Sequence, residues 1–212
     1  MDRNGIAFIV TGITYPGVYF GDQSAANDLA RPCNEYVAQV VRDHPKRIGG
    51  LITLPLPDVD ASLREIAYGF DVLKLDGVGF LSSYQGAYLG DPAFEAVFGE
   101  LDRRNAVAHI HPSIAPKNVD SPVGLPGWCL EFPFDTTRVI ANLAVTATLK
   151  RHPHIKFIVS HSGGVPCLTL KEGLREQFLP PTKNMAMRRL RPGLEGYITT
   201  RLLPPLRRTD VC

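Results

Sequence analysis

Cysteine is scarce in this chain of 212 residues, with four in all at positions 33, 129, 167 and 212. No two form a C-x-x-C pair and the spacings are irregular, so the expectation is a reduced, cytoplasmic protein without a disulfide framework. Long hydrophobic runs are missing too. The opening MDRNGIAFIVTGITYPG carries one short apolar run and no small-residue cleavage pattern. It reads as a strand, not as a signal peptide or a membrane span. A dominant charge sign is also lacking, since the formal net charge is +2. The basic excess sits at one end. Residues 171–212 hold nine of the 23 Lys+Arg and four of the 21 Asp+Glu. That end reads as a solvated tail, with no nucleic-acid partner and no membrane partner expected. No G-x-G-x-x-G follows the first apolar run, which removes the usual support for a dinucleotide site.

Five apolar runs are present: GIAFIVTGI (5–13), IGGLITLP (48–55), GVGFLSS (77–83), AVAHIH (106–111) and IKFIVSH (155–161). Each is nearly continuous, which predicts parallel strands covered on both faces. Helical periodicity fills the gaps. One helix is expected from Asn34 and a second from Asp60, with an Asp as its cap. A third follows Asp91, with Pro92 in its first turn. A fourth, DTTRVIANLAVTATLKRH, is expected to start at Asp135 as its cap and to end in basic residues that suit a helix C-terminus. The last four runs begin 29, 29 and 49 residues apart, and the widest gap holds a Pro- and Gly-rich loop. Repeated strand–loop–helix units of this kind predict an α/β fold, either a doubly wound sheet or a (β/α) barrel.

Polar residues gather at the C-terminal ends of the runs: Ser82 to Gln85 after the third, His111 at the end of the fourth, and Ser160 to Gly164 at the end of the fifth. Ligands bind at that edge of parallel α/β sheets. His109 and His111 stand two apart and so face one side of their strand. They differ in depth by about 6–7 Å. Only His111 reaches the rim, and His109 is expected to be a core histidine bonded to a neighbour. His161, followed by two glycines, reaches the same edge from the next strand.

The blocks YLGDPAF, LDRR-A-V, HIHP, FPFDTTR and SH-GG carry a resemblance. In order and spacing they resemble the amidohydrolase-related, metal-dependent decarboxylases, a group that includes aminocarboxymuconate semialdehyde, γ-resorcylate and 6-methylsalicylate decarboxylases. The resemblance spans roughly residues 1–178. It implies a (β/α)8 TIM-barrel-type fold of the amidohydrolase superfamily, here with about five or six βα units. Residues 179–212 are left as a divergent, poorly ordered basic tail. It implies one divalent metal, zinc or manganese, with His111 as a ligand, and His161 as the catalytic residue acting on the substrate. The expected substrate is a small aromatic carboxylate of the salicylate type, decarboxylated without oxidation. Phe132 and Phe134 are expected to wall the ring, and Tyr84 to join them. Phe132 and Phe134 read equally well as packing that pins the long loop.

The chain departs from the family pattern at both ends. No H-x-H precedes the first strand, no G-S-D-Y-P block closes the tail, and Asp210 lacks that context. These departures imply a truncated homologue in which the metal is lost. Alternative readings are an inactive chain acting at most as an interaction partner and, less favoured, a metal-dependent lactone or amide hydrolase. Exposed sheet edges in such a chain leave a homodimer open.

Overall fold

Five parallel strands join in strict chain order. The computed structural model describes residues 1–113 and 127–164. β1 (Ile9–Thr11), β2 (Ile48–Thr53), β3 (Gly77–Leu81), β6 (Val107–His111) and β7 (Lys156–Val159) form one sheet in the order β1-β2-β3-β6-β7. A two-stranded hairpin, β4 (Ser83–Tyr84) and β5 (Ala87–Tyr88), interrupts the series after β3. A doubly wound sheet reverses its strand order at a switch point. Here each new strand is added on the same side, the progression of a (β/α) barrel, and the sheet curls as a half-barrel of that type. The expected tail 179–212 and its order lie outside the described residues.

The expectation of cover on both faces holds for β2, where five of six residues are buried, but not for β3 and β6. There burial alternates. Val78, Phe80, Ala108 and Ile110 are buried under the helices, whereas Gly79, Leu81, His109 and His111 face the concave side and are only partly covered. Apolar residues occupy both faces of β3, so sequence alone conceals this asymmetry.

α1 (Gln23–Asp43) begins eleven residues before the expected Asn34. Asp22 caps it, accepting from the Ala25 amide at 3.0 Å. Pro32 therefore lies inside the helix, where a missing N–H and a ring clash cost about 3 kcal/mol. Buried Ala26, Ala30, Val37 and Ala38 hold the helix together across that point. Asn34 is buried on the same face. It donates to the Thr53 carbonyl at 3.1 Å and accepts from the Thr53 amide at 2.7 Å. β1 ends at Thr11, opposite Gly50, so this side chain completes the ladder that the short strand leaves open.

α2 (Val59–Asp71) is capped by Asp58, not Asp60. α3 (Glu95–Arg103) follows a short 3-10 turn in which Asp91 caps and Pro92 leads, as expected. The fourth expected helix is two. α4 (Gly127–Val145) ends where Ala147 adopts φ +57°, and α5 (Thr148–Arg151) follows. The Thr146 hydroxyl turns back to the Asn142 carbonyl and meets the Thr148 hydroxyl, and this competes with continuation of the helix. The core between sheet and helices is built on Phe80, Phe98, Ile52, Ile66, Leu101 and Ile110. No helix among the described residues is long and apolar enough to cross a membrane. Cys33 and Cys129 are free thiols.

Candidate functional site

β6 carries His111 to the C-terminal edge of the sheet as its last residue, level with the end of β3 and one residue past the end of β7. The Ser82 amide donates to the His111 carbonyl at 2.9 Å, and the Ser160 amide donates to the Ile110 carbonyl at 3.1 Å. The backbone at this rim is thus held from both sides. His111 Nδ1 lies 2.8 Å from the Pro112 carbonyl. A carbonyl only accepts, so Nδ1 carries the hydrogen and Nε2 presents its lone pair. Metal-ligating or substrate-facing imidazoles are commonly oriented in this way.

His161 reaches the same place from the turn after β7. It opens a 3-10 turn, His161–Gly163, with φ +53°, a left-handed conformation uncommon for a residue other than glycine. The turn can close tightly against α4 because of Gly164. At φ +68° a Cβ there would stand 2.6 Å from Thr137 Oγ1 and 2.7 Å from the Pro133 carbonyl. The ring centroids of His111 and His161 are 5.4 Å apart, at 69°. Phe132 completes a triangle, 5.5 Å from His111 and 5.7 Å from His161. Desolvation, then the charge of His111, lowers the pKa of His161. One layer deeper, His109 Nε2 meets Ser160 Oγ at 3.0 Å, and burial lowers its pKa to about 4. His109 is therefore uncharged at neutral pH, a hydrogen-bonded partner inside the half-barrel.

The remaining aromatic candidates separate. Phe134, two residues beyond Phe132, is 46% exposed and shares in none of the ring contacts among the described residues. Tyr84 is buried, its hydroxyl accepts from the Leu81 amide at 2.9 Å, and burial raises its pKa. It lines a cleft of about 400 Å³ with Tyr15, Tyr19, Leu81, Ser83 and Ser113. Leu81 is the register partner of His111 and Ser113 follows that histidine by two residues, so the cleft neighbours this rim, with no histidine among its lining residues.

Asp135 is the largest correction to the sequence reading. It does not cap a helix. α4 begins at Gly127 and runs through Pro133, so Asp135 falls inside it and is wholly buried. Its carboxylate accepts from the Ser82 hydroxyl, from the Tyr88 hydroxyl at 2.6 Å and from the Ser113 amide at 3.0 Å. Ser113 Oγ also meets Ser82 Oγ and Ser83 Oγ, each at 2.8 Å. Burial, then Asp135, pushes the Tyr88 phenol up to about 12. One signal for this role was present. Carrying the α4 periodicity back one turn from buried Val139 lands on Asp135, and a carboxylate on an apolar face must find donors.

Among the described residues, no group of three or more His, Cys, Asp or Glu converges as a metal-holding set. A catalytic metal takes about three protein ligands, so the described donors do not by themselves form such a centre.

Residues 12–186 match the amidohydrolase family model. The chain is 35% identical to a 6-methylsalicylic acid decarboxylase of Aspergillus aculeatus, over 85% of this chain and 56% of that protein. It is 32% identical to a 6-methylsalicylic acid decarboxylase of Penicillium expansum, over 85% of this chain and 57% of the other. The chain thus spans little more than half the length of these curated relatives. Among solved structures it resembles a 5-carboxyvanillate decarboxylase from Novosphingobium aromaticivorans, complexed with manganese and 4-hydroxy-3-methoxy-5-nitrobenzoic acid. The TM-score is 0.75 at 29% identity, over 80% of this chain and 49% of that one.

Proposed function

The chain belongs to the amidohydrolase family, and from that premise we propose that it serves the non-oxidative decarboxylation of a salicylate-type aromatic acid, with 6-methylsalicylate as the leading substrate. The observation that carries this reading is the His111–Phe132–His161 triangle at the C-terminal edge of the sheet. Its relatives named as 6-methylsalicylic acid decarboxylases support the choice of substrate.

The chemistry needs a proton at the ring carbon that bears the carboxylate. His161, as imidazolium, delivers it. The carbon–carbon bond then breaks, its electron pair restores the aromatic ring, carbon dioxide leaves, and the neutral imidazole takes a new proton from solvent. Desolvation and the charge of His111 lower the pKa of His161, which makes the imidazolium a stronger acid and also less populated at neutral pH. Phe132 packs against both imidazoles, and the adjoining cleft with Tyr84 receives the aromatic ring. A divalent metal, zinc or manganese, enters this reading through the manganese-bearing neighbour. His111 is its proposed ligand, one of the roughly three that such a centre takes. The steps above run through side chains alone.

The test is carbon dioxide release from 6-methylsalicylate by the purified 212-residue chain, with bound metal measured by elemental analysis. Release that vanishes in His111→Ala supports the reading. A folded chain that shows neither metal nor turnover overturns it for this polypeptide.

A further inference from the structure

The His111 rim is tied to one buried group on three sides. Its own carbonyl accepts from the Ser82 amide, and the Ser82 hydroxyl ends on Asp135. Two residues on, the Ser113 amide donates both to Asp135 at 3.0 Å and to Ser82 Oγ at 2.8 Å. Between these anchors lies Pro112, whose carbonyl holds His111 Nδ1. Asp135 also belongs to α4, one turn after Phe132, and α4 packs on the turn that carries His161 through Gly164 and Pro133. We infer that Asp135 is a positioning residue: it sets the tautomer and orientation of His111 by fixing the Ser82 and Ser113 backbone on either side of it, and it sets the His111–His161 spacing through α4.

The physical argument is one of donor supply. A wholly buried carboxylate stays in place only when donors surround it. Here the donors come from the end of β3, the β4–β5 hairpin, the segment after β6 and no other described element. Those three segments frame the rim on the His111 side. A helix-packing role alone would call for an apolar residue at this position. A capping role is excluded by its place inside the helix. The carboxylate, moreover, accepts from the Ser113 amide with the oxygen that also receives the Ser82 hydroxyl, so one atom fixes both flanks of His111.

The test uses Asp135→Leu in the full chain. An asparagine could turn its one oxygen to Ser82 and Ser113 and keep both flanks, whereas leucine removes every acceptor at a similar size. The readout is the imidazole ¹H–¹⁵N correlation spectrum in metal-free buffer, with circular dichroism as the check on folding. Wild type is expected to show His111 as a single Nδ1–H tautomer. Asp135→Leu is expected to show a tautomer mixture or a shifted signal, and kcat at least tenfold lower with KM changed less. Tyr88→Phe removes one donor to Asp135 without touching the flanks of His111, and it is expected to leave the His111 signal in place. Should Asp135→Leu fail to fold, Ser82→Ala removes the Ser82 side of the tie and is read in the same way. An unaltered His111 signal in a folded Asp135→Leu or Ser82→Ala chain overturns the inference, and so does an equal shift in Tyr88→Phe. The inference rests on the site proposed above, and the two fail separately. A His111 signal that moves as expected in a chain that releases no carbon dioxide sinks the decarboxylase reading and leaves the positioning role standing.

Discussion

His161→Asn is expected to lower kcat for decarboxylation by roughly 10²–10⁴-fold, the range for removing a positioned acid–base group. Asparagine is chosen because His161 sits at φ +53°. Asn and His are both enriched in the left-handed region, so the turn keeps its shape while the imidazole is removed. Thermal unfolding should therefore move little. The 3-10 turn is partly exposed, and its closest approach to α4 is made by Gly164, while the histidine adds only its ring contact with Phe132. Retention of wild-type kcat in a folded His161→Asn chain would remove His161 from the proton-transfer role. A large fall in melting temperature would show that the side chain holds the turn instead.

The second large effect is on stability. Phe98 is fully buried in α3, with its ring 5.8 Å from Phe80, 6.4 Å from Phe157 and stacked on His152 at 5.8 Å. Phe98→Ala should cost about 3–5 kcal/mol, since the sheet on one side and α5 on the other limit collapse into the cavity. For a chain of this size that corresponds to a fall in melting temperature on the order of 10 °C. Chemical denaturation read by circular dichroism checks it. A change of under about 1 kcal/mol would mean that the site repacks freely and that this cluster does not anchor α3. Activity should follow stability only, because Phe98 lies on the helix side of the sheet and the His111 rim lies on the other.

The strands were legible because parallel strands write themselves as short apolar runs, and all five were found within a few residues of their observed bounds, although β1 is largely exposed and not covered on both faces. The helix starts were less so. Pro32 and Pro133 both lie inside helices that tertiary burial carries through, against the usual effect of an interior proline. Misplacing the start of α4 turned Asp135 into a cap and hid its three donors. They come from residues 22 to 53 positions away, a distance that no local pattern spans. His111 and His161 were legible as rim residues from strand position alone. That Phe132 rather than Phe134 meets them follows from the helical phase of α4, which was read as loop.

The order β1-β2-β3-β6-β7 also sets a gradient of hydrogen exchange. β6 has a partner on each side, so the amides flanking His111 should open only with the whole domain. β7 has one partner among the described strands, and His161 lies past its end. The two imidazoles therefore stand on supports of unequal persistence. Hydrogen exchange is expected to be faster at the His161 turn, which lies past the end of its strand, than at the doubly paired backbone of His111.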